Sequence, residues 1–222
     1  LGGETGLLIA LIMGILSNLF AYWYSDKVIL SMYKAKVVNQ NDSPELIKIV
    51  SELTTNADLP TPAIYIIDED SPNAFATGRN PSNAAIAVTR GLIEKLTQKE
   101  LKGVVAHELA HILNRDILIA TISAVFAAAI SSLASFALIF GGRGGNRSSN
   151  PFLFILLALV TPIAATIIQM AISRSREYEA DRIGASLTQD PGSLASALEK
   201  IDKISRTKNF NTVQQHPETA QM

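Results

Sequence analysis

The feature that most constrains this chain is a set of three long stretches without a charged residue. They cover residues 5–25, 117–140 and 151–173. A helix needs about 20 apolar residues to cross the hydrocarbon core of a membrane, and each stretch reaches that length. The alternative is a helix buried in a soluble core, but such helices seldom stay uncharged on every side for so long. The sequence therefore predicts three transmembrane helices.

The connections between these helices predict a topology. A Gly/Ser/Arg-rich loop at residues 141–150 joins the last two stretches into a hairpin, which returns the chain to the side it left. Residues 26–116 and 174–222 should therefore lie on one side and form a single domain from two pieces. The basic residues near the predicted spans are concentrated on that side, which the positive-inside rule assigns to the cytoplasm.

Composition narrows the functional classes. The formal net charge is −1, so the chain has no excess of basic residues and we expect no nucleic-acid partner. It has no cysteine, which excludes disulfides and thiolate metal sites. Any metal must be bound by histidines and carboxylates.

The segment after the first predicted span alternates helical and strand patterns. An apolar stripe predicts a helix that opens at Ser43 and Pro44. The capping-box pattern of Thr97 and Glu100 predicts a second helix over residues 98–114. The predicted strands cover residues 63–68, 73–77 and 84–89, with a turn at 78–81 between the last two. This pattern favours an α+β fold, mostly α with a small β-sheet.

The helix predicted over residues 98–114 carries His-Glu-Leu-Ala-His, with His107, Glu108 and His111 at its key positions. Histidines four residues apart share a helix face and lie about 6 Å apart along it, so both imidazoles reach one ion. Zinc accepts neutral imidazole, and catalytic zinc sites keep a position open for water. Glu108 can take the proton of that metal-activated water as a general base. The motif predicts a zinc-dependent hydrolase.

A catalytic zinc site needs a third protein ligand. The metzincin pattern requires glycine and histidine where this chain has Asn114 and Ile117, so that subclass is excluded. Glu177 and Asp181 are four residues apart and share a helix face. If the membrane hairpin forms, Glu177 and His111 lie about 6 and 9 Å along their helices from the membrane, at nearly equal heights. We expect Glu177 to be the ligand, and an ordinary charge pair on a solvated helix is the alternative.

Taken together, these motifs resemble the HtpX-type membrane zinc metalloproteases, heat-shock proteins related to the CAAX prenyl proteases. The resemblance covers the His-Glu-Leu-Ala-His motif, Asn-Arg-Asp at 114–116 and the predicted hairpin. It continues in S-R-x-x-E-Y-x-A-D at 173–181, N-A-F-A-T-G at 73–78 and His-Pro at 216–217. The resemblance implies a zincin-like (gluzincin) metalloprotease domain fused to transmembrane helices. It also implies one zinc ion per chain, with Glu177 as third ligand and Asp181 supporting a ligand.

The resemblance also implies a physiological role. Proteases of this family degrade misfolded or damaged membrane proteins at the cytoplasmic face of the bacterial inner membrane, as part of a stress response. The implied partners are membrane-protein or unfolded polypeptide substrates and the lipid bilayer around a multi-pass protein. Such proteases begin with a further span and continue past the His-Pro element, so we expect this chain to be a fragment.

Other candidate residues have ordinary alternatives. Asn73, Ala74 and Phe75 are predicted to pair with an extended substrate backbone by strand addition, and a plain sheet edge is the alternative. His216 is a candidate transition-state donor or extra zinc ligand, and a solvated tail histidine is the alternative.

Two functional classes remain from the sequence. One is a membrane endopeptidase, and the other is a zinc-binding membrane scaffold or adaptor without catalysis. Glu108 favours the endopeptidase, since a degenerate site would tolerate its loss. A prenyl-protein protease with an intramembrane chamber is disfavoured, because three spans are too few to enclose one.

Overall fold

A computed structural model of the chain describes residues 4–39, 42–123 and 151–215. The chain divides into two compact units. The first comprises residues 1–24 and 116–178, and the second comprises residues 25–115 and 179–222.

The first unit is helical where the structure describes it. Its helices are α1 (Glu4–Trp23), α6 (described over residues 116–123) and the first part of α7 (Pro151–Thr188). Among the described residues, no helix combines the length and the hydropathy that a membrane crossing requires. The membrane spans predicted at 5–25 and 151–173 are therefore not confirmed. The span predicted at 117–140 leaves the described residues after 123, and the loop at 141–150 lies outside them.

The second unit combines a small sheet with helices, which confirms the mostly α fold with a small β-sheet. Its helices are α2 (Ser25–Met32), α3 (Pro44–Asn56), α4 (Arg90–Lys95), α5 (Gln98–Leu113), the end of α7 and α8 (Pro191–Gln215). Its strands are β1 (Lys36–Val37), β2 (Ala63–Ile67), β3 (Ala74–Asn80) and β4 (Asn83–Thr89). The strand order is β1-β2-β4-β3, with β2 and β4 parallel and the outer pairs antiparallel. The sheet is therefore mixed, and β3 is one of its edges.

The turn before β4 is shorter than the sequence suggests. Residues 78–81 were predicted to form it, but β3 continues through Asn80 and β4 begins at Asn83. Gly78 has a φ of 124° and stands at an irregularity in the pairing of the two strands. A Cβ there would lie 2.1 Å from the carbonyl oxygen of Asn83, so only glycine fits. The glycine thus forms a bulge within the strand.

Helices cover both faces of β4, which explains its almost continuously buried sequence. On one face the sheet packs against α3 and α5 in the larger core, to which β4 contributes Ile86 and Val88. On the other face it packs against α2, where Leu30 meets Ala85 and Ala87. This packing holds α5 against one face of the sheet.

The start of α5 is fixed by a confirmed capping box. The Thr97 hydroxyl accepts a hydrogen bond from the amide of Glu100, whose side chain accepts one from the amide of Thr97. Gly103 lets α8 approach closely, because a Cβ there would lie 2.8 Å from the amide nitrogen of Leu194. At the other end, Arg115 has a φ of 55° and separates α5 from α6. These features set the position of the helix that carries the site.

Candidate active site

Two histidine side chains of α5 converge on one point. The Nε2 atoms of His107 and His111 lie 3.1 Å apart. Their rings are nearly perpendicular, with centroids separated by 4.7 Å. Two nitrogens bound at ~2.0–2.1 Å to a tetrahedral zinc ion lie about 3.3 Å from each other. The observed separation therefore suits two ligands of one ion.

A carboxylate lies beside the first histidine. Nδ1 of His107 is 2.9 Å from Oδ1 of Asp181, a residue near the C-terminal end of α7. The two atoms lie within ion-pair distance but outside hydrogen-bond geometry. The negative charge so close to Nδ1 favours the tautomer with the proton on that nitrogen, which leaves a lone pair on the Nε2 that faces His111. A carboxylate behind an imidazole is the usual support for a histidine that binds metal.

A glycine allows the end of α7 to lie against α5. A Cβ at Gly184 would be 3.2 Å from the amide nitrogen and 3.3 Å from the Cα of His107. These contacts are tight and involve backbone, which cannot rotate away. Gly184 follows Asp181 by three residues on the same helix, so the small residue and the carboxylate act on one histidine.

The predicted third ligand belongs to the same helix. Glu177 precedes Asp181 on α7 by one turn and shares its face. One candidate ligand atom from each of His107, His111 and Glu177 lies within 4.8 Å of the others. This His-His-Glu group could hold a metal ion, and its two nitrogens and one carboxylate oxygen are donors that zinc accepts.

The predicted general base is attached to the sheet. Oε2 of Glu108 accepts a hydrogen bond of 2.9 Å from the backbone amide of Ala76 on β3. The carboxylate is thus held between the edge strand and the helix that carries both histidines. No sequence pattern indicates this contact of Ala76, because the two residues are far apart in the chain.

The three residues predicted to bind substrate differ in their surroundings. Both backbone groups of Asn73 bond to Thr89. The Asn73 amide donates to the Thr89 hydroxyl, and the Asn73 carbonyl accepts from the Thr89 amide. The Phe75 ring packs against Tyr33, with centroids 5.3 Å apart, on the α2 face of the sheet. Ala74 lies on β3 between them, and its side chain packs on the α5 face. His216 lies outside the described residues.

The arrangement of these side chains is typical of one class of enzyme. Two imidazoles and a carboxylate converge. A second carboxylate lies 2.9 Å from one imidazole, and a third, on the residue that follows His107, bonds to the edge strand of the sheet. Zincin metalloproteases hydrolyse peptides with such a constellation on a helix.

Comparison with known proteins agrees with this class. Residues 40–221 match the family model described as Peptidase family M48, and the chain belongs to this family. The chain is therefore a metalloprotease, and the resemblance inferred from its motifs is confirmed.

Two curated relatives are similar along the whole chain. One is a "Protease HtpX homolog" of Methylibium petroleiphilum, which is 54% identical over 100% of this chain and 79% of the relative. Another, of Paraburkholderia phytofirmans, is 53% identical over 100% of this chain and 78% of the relative.

A solved structure shares the fold. The crystal structure of S. mikatae Ste24p matches with a TM-score of 0.60 and 22% sequence identity. The match covers 88% of this chain and 51% of that one.

Proposed function

We propose that this chain is a zinc-dependent endopeptidase that hydrolyses peptide bonds of misfolded or damaged membrane proteins. The observation that carries the proposal is the convergence of His107 and His111, 3.1 Å apart at Nε2, together with the anchoring of the Glu108 carboxylate, from the same helix, to the amide of Ala76. Metal ligands alone are sufficient for a structural metal site. A hydrolase also needs a general base, and an anchored carboxylate can act as one.

The roles of the residues follow from their chemistry. His107, His111 and Glu177 would hold one zinc ion, and Asp181 would fix the orientation of His107. The zinc ion, when bound, supplies Lewis acidity that makes water a competent nucleophile near neutral pH. Glu108 takes the proton of the attacking water and later gives it to the amine that leaves.

The substrate would bind along β3, the sheet edge beside Glu108. An extended peptide can add to such an edge by backbone hydrogen bonds, a mode that accepts many sequences. Among Asn73, Ala74 and Phe75, the support is strongest for Ala74, because its neighbours direct their backbones toward β4. We assign to Phe75 a packing role against Tyr33 rather than a contact with the substrate side chain.

We further propose that the protein is a multi-pass protein of the bacterial inner membrane, with the protease domain in the cytoplasm. The three charge-free stretches and the basic residues that flank them support this location. Unfolded polypeptides and membrane proteins would then be its substrates, and the lipid bilayer its surroundings.

A zinc-binding scaffold without catalysis is the second candidate. A scaffold would need the histidines to bind zinc but no general base. The Ala76–Glu108 hydrogen bond would therefore not be required for its function. That contact, at 2.9 Å, favours the enzyme.

Casein hydrolysis by the purified chain tests the proposal. We expect activity that a chelator abolishes and added zinc restores. Glu108→Gln should keep the zinc and lose hydrolysis by about 10²–10⁴-fold, because Gln cannot accept the proton. Glu179→Gln, at a carboxylate that pairs with Arg182, is the matched control and should stay active. Undiminished hydrolysis by Glu108→Gln would contradict the mechanism.

A further inference from the structure

Along β3, the backbone amides and carbonyls of successive residues point alternately toward β4 and toward the unpaired edge of the sheet. The carbonyl of Asn73 accepts a hydrogen bond from the amide of Thr89, which identifies that pair as hydrogen-bonded. In an antiparallel ladder the next residue pairs alternate, so Ala74 and Ala76 direct their amides and carbonyls away from β4. Both residues therefore have backbone groups that an added strand could use.

One of these outward amides is already engaged. The Ala76 amide donates to Oε2 of Glu108 at 2.9 Å, across 32 residues of sequence. The bond joins an edge strand to a carboxylate, and a charged acceptor makes it stronger than an ordinary backbone bond. The hydrogen bond also holds the flexible Glu108 side chain against the rigid backbone of β3.

We propose that the Ala76 amide is a positioning group for Glu108 and marks the place where a bound substrate leaves β3. This inference rests on the proposed function. A peptide added to the edge can pair with the backbone of Ala74, but it finds the Ala76 amide occupied. Its ladder with β3 therefore stops beside the general base. There the scissile bond, released from pairing, can turn toward the metal ligands.

Amide hydrogen exchange tests the bond without requiring catalysis. The full chain is labelled with ¹⁵N-alanine, and exchange is followed by NMR for the native chain and for Glu108→Ala. We expect exchange at Ala76 to accelerate about tenfold to a hundredfold in the variant, since a charged acceptor is removed. The amide of Ala74, on the same free edge, is the internal control and should be unchanged.

Two results would overturn the assignment. One is equal protection of Ala76 in both proteins, which would show that the carboxylate does not hold the amide. The other is an equal acceleration at Ala76 and at the central-strand Ala85, which would show a general loosening of the sheet. Because exchange is independent of turnover, a failure of the proposed protease activity would leave this measurement intact.

Kinetics then separate positioning from substrate binding. Ala76→Pro removes the outward amide without loss of a ladder bond, because proline is tolerated at such an edge position. Its ring also occupies the place where the Glu108 carboxylate now bonds. We expect its zinc content and KM to be unchanged and its kcat to fall about tenfold or more. Ala76→Gly keeps the amide and should retain kcat within about threefold, whereas Ala74→Pro should raise KM. A native kcat in Ala76→Pro would refute the positioning role. If Ala76→Pro does not fold, the exchange experiment on Glu108→Ala decides the question instead.

Discussion

The best-defined electrostatic feature outside the site is Glu100, which ties the start of α5 to α8. Its carboxylate accepts hydrogen bonds from Lys200 Nζ at 2.7 Å, from the Ser196 hydroxyl at 2.6 Å and from the amide of Thr97 at 2.8 Å. The residue is only 5% exposed. The bond from Lys200, followed by those from Ser196 and Thr97, lowers the pKa of Glu100 from 4.5 to about 2.

This pKa sets the size of the expected effect. One pKa unit corresponds to about 1.4 kcal/mol, so the lowered pKa stabilises the folded chain by at most ~3.5 kcal/mol. The Lys200 side chain is 44% exposed, and solvent screening reduces the effect to about 1–2 kcal/mol. Because the folded pKa is depressed, this stability is present above pH 4.5. It is lost as the pH falls from 4.5 toward 2.

Glu100→Gln should therefore destabilise the chain by about 1–2 kcal/mol at neutral pH. Urea unfolding in the presence of chelator, so that metal loss does not contribute, measures the free energy at pH 7 and in steps down to pH 3. The difference between native chain and variant should shrink with each step. Glu52→Gln is the matched control, because Glu52 also pairs with a lysine, Lys102 at 2.7 Å, but at an exposed position. A constant difference from pH 7 to pH 3, or equal effects of both variants, would refute the reasoning.

Three further predictions concern the helix α7 and the topology. Gly184→Val should lower zinc content and hydrolysis, because the new side chain has only 3.2 Å to the backbone of His107; a variant with native zinc content would contradict this. Asp181→Asn should weaken zinc binding by about 10–100-fold in a competition titration, and an unchanged affinity would exclude its supporting role. In intact cells, a cysteine at position 148 should react with an impermeant thiol reagent, and one at position 205 only after lysis. The reverse pattern would overturn the proposed orientation.

The helix of the site was predictable because its signals are local. Thr97 and Glu100 define its start, and the spacing of its histidines places both on one face. The structure has this helix at Gln98–Leu113, one residue shorter than predicted. A capping box and a helical period require no knowledge of the rest of the chain.

The roles of Ala76 and Gly184 were not predictable, because each depends on a contact between distant segments. Nothing near Ala76 in sequence indicates that a carboxylate from α5 meets its amide. Gly184 had a weak signal, since a glycine inside a helical pattern often has a packing reason. Which helix it would approach is decided by the tertiary fold.

The strand β3 illustrates an intermediate case. Its existence was predictable from composition, but its continuation through Gly78 depends on a bulge that only pairing with β4 creates. The orientation of Phe75 toward α2 likewise depends on which face of the sheet that helix covers. Local propensity identifies a strand but not what each face contacts.

Zinc bound per chain tests the central claim most directly. It is measured under competition with a chelator of known affinity for the native chain, Glu177→Ala and Glu179→Ala. Glu179 is the matched control, because it lies on the same helix but pairs with Arg182 instead. We predict one zinc ion per chain in the native protein and in Glu179→Ala, and a loss of binding in Glu177→Ala. Native zinc affinity in Glu177→Ala would contradict the account of the metal site.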